Sequence, residues 1–216
     1  MKHSEKAKKA SLSDGQLISV EPRAITPKGL NKSAAPNIDQ IKKYMFADEF
    51  DNLKLLDKIK LTLPQKPILL YPGCGADVLF PFFYMEHFGA EELTCIFVDI
   101  QNTLSELTTV LDEIGISFAQ EKHTLHFYWN DMLVHLEFRK ANIFEIIPKL
   151  SYDIYFERAF RIMKSEYADY ETVVFNNLNK NGIIISDSGF QQCNLKKIKV
   201  PPELSAYHEM VIGVKE

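Results

Sequence analysis

With 216 residues, 46% of them hydrophobic, the chain is long enough for one sizeable core and marginal for two domains. The net charge of -4 is uneven: residues 1–36 hold seven Lys/Arg against three Asp/Glu, net +4, leaving -8 on residues 37–216, which excludes attraction of nucleic acid to that part by bulk charge. Cys74, Cys95 and Cys193 form neither a disulfide framework nor a metal-ligand spacing, no apolar run reaches the roughly 20 residues of a membrane span, and Met1–Ser19 lacks the apolar centre of a signal peptide, so the expectation is a cytoplasmic protein without a membrane partner.

Residues 1–36, rich in Lys, Ser, Ala and Pro, read as a flexible basic extension ending in Ser33-Ala-Ala-Pro36. A single domain is expected over 37–216, with a helical cover at 37–63 and an α/β core at 64–216. Asn37 fits an N-cap, Ile41, Tyr44 and Met45 follow at helical spacing, and Phe50, Leu53, Leu56, Ile59 and Leu63 continue an amphipathic stretch that Pro64 stops.

Strand and helix patterns then alternate as in a parallel sheet covered on both faces. Ile68–Tyr71 is the first strand and Val78–Phe88 a helix; Leu93–Val98 is a strand apolar throughout, ending at Asp99; Leu104–Ile114 is a helix closed by Gly115. Thr124–Phe138 alternates about Asn130-Asp131 and predicts a hairpin. Tyr152–Phe156 is a strand, Glu166–Leu178 a helix and Gly182–Ser186 a central strand, with two further strands at Leu195–Val200 and His208–Val214. The two-strand ending departs from a dinucleotide-binding dehydrogenase domain.

The chemistry concentrates at Tyr71-Pro-Gly73-Cys74-Gly75-Ala-Asp77, where a buried strand meets a Gly-x-Gly turn and then a helix. Glycine lets backbone turn tightly and approach a ligand, and the helix presents free N–H groups there. Alone, one Gly-x-Gly is a weak signal. Asp99 follows Gly75 by 24 residues, near the spacing of ribose-binding acids in nucleotide-binding folds.

Taken in order, these features resemble the class I S-adenosylmethionine-dependent methyltransferases over residues 64–216. The resemblance implies a Rossmann-like three-layer α/β sandwich whose mostly parallel sheet is closed by an antiparallel C-terminal strand pair. It implies S-adenosylmethionine as cofactor, with Tyr71, Gly73, Cys74, Gly75 and Asp77 in the glycine loop, Asp99 and Ile100 at the ribose, and Asn142 and Ile143 near the adenine. Glu157 and Arg158 follow the strand that faces the transferable methyl in this family. Glu157 is the candidate to accept a proton from a nucleophile and Arg158 to hold an anionic substrate group, or the two form a local ion pair. The family usually has an acid two positions before the first loop glycine, where this chain has Tyr71, and a third glycine where it has Asp77. Asp77 is then the candidate to meet the methionine ammonium in place of the missing acid.

The Asn-Pro-Pro-aromatic type of motif of amino-directed nucleic-acid methyltransferases is absent, which favours a small-molecule acceptor. His123, His126 and His135 fix no third or fourth ligand, so no metal site is expected. Phe127-Tyr128-Trp129 is either an exposed aromatic patch or core, and Ser186-Asp-Ser-Gly189 lacks the Gly-x-Ser-x-Gly of a hydrolase elbow. The alternatives are a non-catalytic binding or regulatory protein on the same fold and an NAD-dependent oxidoreductase, the latter disfavoured by the missing third glycine near Val78.

Overall fold

The structure, a computed structural model, describes Leu30, Lys32, residues 35–191, 194–205 and 208–216, and the backbone of two short strands at 10–13 and 16–19. Those strands, β1 (Ala10–Ser13) and β2 (Gln16–Ser19), pair antiparallel with each other. Residues 1–36 were expected to hold no regular structure, so this pair is a difference; Cys193 and the rest of that extension, bar Leu30, Lys32, Ala35 and Pro36, lie outside the described residues.

Asn37 caps α1 (Ile38–Ile41), its side chain accepting from the Asp39 and Gln40 N–H groups. After α2 (Ala47–Asn52) the chain tightens into a 3-10 helix at Leu53–Lys58 rather than continuing to Leu63. The pattern explains this: Leu53, Leu56 and Ile59 are buried at intervals of three, and a 3-10 helix stacks i and i+3 in one row.

The core is one nine-stranded sheet. Its parallel centre comprises β3 (Ile68–Pro72), β4 (Glu92–Asp99), β7 (Met132–Lys140), β8 (Tyr152–Glu157) and β9 (Leu178–Ser186). Antiparallel strands extend both sides: β5 (Phe118–Glu121) and β6 (Thr124–Trp129) beyond β7, and β11 (Val211–Lys215) then β10 (Leu195–Ile198) beyond β9. The order is β10-β11-β9-β8-β3-β4-β7-β6-β5. The expected hairpin is β6–β7, turned at Asn130 with a positive φ of 49°.

Strands β3, β4 and β8 are largely apolar on both faces because both are covered, whereas β7 alternates, with His135, Glu137 and Arg139 half-buried on its outer face. Leu69 and Tyr71 of β3, with Cys95 and Phe97 of β4, pack with α3 (Phe80–His87) and α4 (Leu104–Glu113). Leu70, Ile96 and Val98 face the opposite way, onto α5 (Ile143–Ile146) and α7 (Tyr170–Asn177). α4 buries Leu104, Leu107, Val110 and Leu111 on one stripe and ends before Gly115, whose φ of 82° lets the chain leave the helix. The helix expected over 166–178 is α7, shortened to Tyr170–Asn177 and preceded by an unexpected α6 (Arg161–Ser165), and β9 starts at Leu178, pairing with Tyr152 before Asn179–Gly182 loop out and Ile183 resumes opposite Ile154.

Candidate functional site

From β3 the chain steps to β4 and β7 on one side, then crosses to β8 on the other. This reversal leaves a crevice at the strand C-terminal ends, where ligands bind in open α/β sheets. A cavity of about 340 Å3 lies there, lined by Gly73 and Gly75 after β3, Asp99, Ile100 and Thr103 after β4, Asn142 and Ile143 after β7, and Ala159 and Phe160 after β8.

Both loop glycines have left-handed backbones, φ 58° at Gly73 and 52° at Gly75, but their surroundings differ. A Cβ on Gly73 would meet the Phe160 ring at 2.7 Å, whereas one on Gly75 would meet nothing within 4 Å. Gly73 thus lets the β8 loop pack close, and Gly75 leaves backbone open to the cavity. The Asp99 carboxylate ties the two first loops together, accepting from the Gly75 N–H at 2.9 Å and from the Gln101 N–H at 2.8 Å. Its remaining lone pairs are available to a second donor. The Thr103 hydroxyl is buried and, apart from the weakly bonding Cys74 thiol beside it, without a partner among the described residues. Asn142 caps α5, accepting from the Phe144 N–H at 3.1 Å while its amide reaches Glu145 at 3.3 Å.

Tyr71, Cys74 and Asp77 stand behind this cavity rather than in its lining. Burial and then the Asp77 charge push the Tyr71 phenol well above its ordinary pKa, so it stays protonated and donates to Asp77 at 2.7 Å. The other Asp77 oxygen accepts the Leu79 and Phe80 N–H groups at 3.1 and 3.2 Å, capping α3. Arg158 lies 3.6 Å from Asp77 and 2.8 Å from Glu49 of α2, its guanidinium over the Phe80 ring. One cation therefore links the glycine loop, the β8 loop and the N-terminal cover.

Glu157 is completely buried at the end of β8. It accepts from Tyr155 at 2.6 Å, Lys164 at 2.7 Å, Ser188 at 2.7 Å and from the Ser186 hydroxyl. Lys164 also pairs with Glu171 at 3.2 Å. Every Glu157 oxygen is thus engaged by protein donors, an arrangement of an organising charge. Beside it, under the cover, is an enclosed pocket of about 80 Å3 bordered by Glu49, Phe80, Tyr84, Phe156, Arg158 and Asp187. Burial raises the Asp187 pKa, opposed by the Ala159 N–H that both its oxygens accept.

Sequence reasoning did not single out Thr103, Phe160 or Asp187. Phe160 was legible as a bulky residue after β8, but its contact with Gly73 is tertiary, and Thr103 carries no local signal. Of the aromatic run, Phe127 and Trp129 are core, Trp129 donating to Glu86 at 2.8 Å, and Tyr128 is half-buried. Ser186 is buried against Glu157. Larger clefts exist, one of about 890 Å3 near Leu61, Pro64 and Gly89 and one of about 610 Å3 beside α6 and α7, but neither touches the glycine loop. No helix among the described residues is long and apolar enough to cross a membrane.

The strand order, the antiparallel β11 between β9 and β10, and a glycine loop at the reversal point define a Rossmann-like methyltransferase fold. No family model matches the chain, and no curated protein matches it. Among solved structures it is similar to a SAM-dependent methyltransferase from Thiobacillus denitrificans in complex with S-adenosyl-L-homocysteine, at 11% identity over 66% of this chain and 48% of that one, TM-score 0.41. It is also similar to the cyclopropane synthase MmaA2 from Mycobacterium tuberculosis, at 15% identity over 75% and 49%, TM-score 0.41. A third is a SAM-dependent methyltransferase from Geobacter sulfurreducens in complex with S-adenosyl-L-homocysteine, at 12% identity over 84% and 59%, TM-score 0.40. The match spans about half the length of the first two. The assignment of the fold rests on the strand order.

Proposed function

We propose that the protein is an S-adenosylmethionine-dependent methyltransferase acting on a small molecule. The observation that carries this reading is the convergence of Gly75, Asp99, Thr103 and Asn142 on one cavity at the sheet's reversal point. The residues fit the cofactor: Asp99 has lone pairs for a ribose diol, the near-orphaned Thr103 hydroxyl needs a polar partner, and Gly75 leaves backbone uncovered. Ile100, Ile143 and the Asn142 amide offer an apolar slot with one polar edge for the adenine. S-adenosylmethionine supplies an electrophilic methyl group when bound.

The chain's own residues then position and shield. Asp77, held by Tyr71, is assigned to the methionine ammonium, with Arg158 turning from Asp77 toward Glu49 or the methionine carboxylate. The enclosed pocket under α2 is assigned to the acceptor, and its small volume favours a small molecule or the reactive end of one. Glu157 holds the floor of that pocket through Tyr155, Ser186, Ser188 and Lys164. The Asp187 carboxylate, made more basic by burial, is the group suited to take a proton from the acceptor. Holding nucleophile and methyl in line supplies much of the acceleration in such a site.

Calorimetric titration with S-adenosylmethionine, S-adenosylhomocysteine and NAD tests the reading. Binding of both sulfur compounds and not NAD is expected; absence of both at millimolar concentration would overturn it, and NAD binding alone would favour an oxidoreductase.

A further inference from the structure

The proposed function uses one end of the sheet and leaves a pair of histidines unexplained. β6 and β7 lie at the side of the sheet, and their inner face, including Phe127, Trp129, Val134 and Leu136, is buried. The alternate residues are half-buried. On that outer face His126 and His135 stand directly opposite each other in the antiparallel register. Their Nδ1 atoms are 2.7 Å apart and their ring centroids 5.0 Å, at an interplanar angle of 71°.

Two imidazoles this close share one proton: one Nδ1–H donates to the other ring's Nδ1 lone pair. Burial, and then the charge of His126, lowers the His135 pKa. The rings are also preplaced, since strand pairing fixes both Cβ positions and a ligand need not order them. Neutral imidazole nitrogen on a rigid support is the preferred donor for late first-row divalent metals.

We propose that His126 and His135 form a two-nitrogen chelate for a divalent metal ion of the copper, nickel and zinc class. The donor ring moves its proton from Nδ1 to Nε2 through solvent, so both Nδ1 lone pairs face the metal and no net proton is released. With metal–nitrogen bonds of about 2.0–2.1 Å the two nitrogens must separate slightly beyond their present contact, a small rotation of either ring. Among the described residues no cluster of three or more His, Cys, Asp or Glu surrounds the pair, so water takes the other positions. The nearest carboxylates by register are Glu137, already bidentate to Arg139 at 2.7 and 2.8 Å, and Glu92, bridged to Lys66 at 2.8 Å. A bound ion clips β6 to β7 and stabilises that side of the sheet.

The test uses the full chain without an affinity tag, because the sequence has six histidines and a tag would add more. In a His3→Gln background, which removes the competing amino-terminal Met1-Lys2-His3 copper chelate, copper(II) is added at one equivalent and read by electron paramagnetic resonance, and zinc binding is measured by calorimetry. Two nitrogen couplings and one zinc site per chain are expected. His126→Gln and His135→Gln should each weaken zinc by at least about tenfold, the double variant little more than either, and His123→Gln not at all. Unchanged affinity in both single variants, or a copper spectrum without two nitrogens, overturns the proposal. Should a variant fail to fold, the nitrogen count in the His3→Gln protein with both His126 and His135 in place decides. The readout is independent of methyl transfer.

Discussion

The Tyr71 phenol donates to the Asp77 carboxylate at 2.7 Å, so a buried residue of β3 holds an acid six positions further along the chain. The same carboxylate caps α3 and faces Arg158. Its two duties separate by substitution. Asp77→Asn keeps a capping oxygen but removes the charge, so stability should fall by under about 1 kcal/mol. Affinity for S-adenosylmethionine should drop by about tenfold, as expected for a lost charge-assisted contact. 5′-Methylthioadenosine, which lacks the ammonium, should bind as before. Equal losses for both ligands in calorimetry would remove the ammonium from Asp77.

Gly73 and Gly75 share a backbone conformation and should answer differently to alanine. Left-handed backbone costs a non-glycine residue about 1–2 kcal/mol at either position. At Gly73 a Cβ also strikes the Phe160 ring at 2.7 Å, so Gly73→Ala should lose a further ~1–3 kcal/mol in urea unfolding. At Gly75 there is space, and the methyl group points where a cofactor is proposed to lie. Gly75→Ala should therefore unfold near the strain cost alone yet weaken S-adenosylhomocysteine by more than tenfold. The reverse ranking would place the ligand on Gly73.

The sheet was legible because β3, β4, β8 and β9 carry apolar runs and β6 and β7 alternate, and the glycine loop because Gly73 and Gly75 follow such a run directly. Asn37 and Gly115 marked helix ends through cap chemistry that is local to the sequence. The 3-10 turn at Leu53–Lys58 was missed because a spacing of three fits a helical stripe nearly as well over one turn. The β5 strand, Phe118–Glu121, is too short and too exposed to show alternation. The burial of Glu157 was not legible at all: Lys164, Ser186 and Ser188 reach it from seven to 31 residues away, across α6 and β9.

Asp99 joins the β3 and β4 loops through the Gly75 and Gln101 N–H groups. Asp99→Ala removes both of these and the proposed ribose acceptor together. Cofactor affinity should fall by at least about 1.4 kcal/mol, or tenfold, since hydrogen bonds to charged groups are worth about 1.5–3 kcal/mol. Adenine alone should lose less. Calorimetry showing unchanged S-adenosylhomocysteine binding would dismiss the ribose assignment.

The Glu157–Lys164 pair is buried on both sides, with side-chain exposures of 0% and 9%. Removing one partner strands the other charge, which typically costs about 3–5 kcal/mol. Lys164→Met should therefore destabilise far more than Arg158→Met, whose side chain is 26% exposed. Guanidinium unfolding gives the ranking, and a Lys164→Met loss under 1 kcal/mol would show that Glu157 finds its donors without the lysine.

Cys74 lies in the glycine loop between Gly73 and Gly75, and Cys95 in the middle of β4; both are buried. Burial is the main cause holding each thiol well above its ordinary pKa, with the Asp99 charge adding to the effect at Cys74. The thiolate is the reactive form, so raising the pKa suppresses reaction in mildly alkaline buffer. In a Cys193→Ser background, which removes the cysteine outside the described residues, an aromatic disulfide reagent at about pH 8 should label no thiol in the native protein and two after unfolding. At about pH 9 the native thiols should still be labelled far more slowly than the unfolded ones, because both groups remain below their midpoints and the thiolate fraction stays small. Fast labelling of Cys74 in the native state would mean that the glycine loop opens readily, and protection by S-adenosylhomocysteine would then locate that opening at the cofactor cavity.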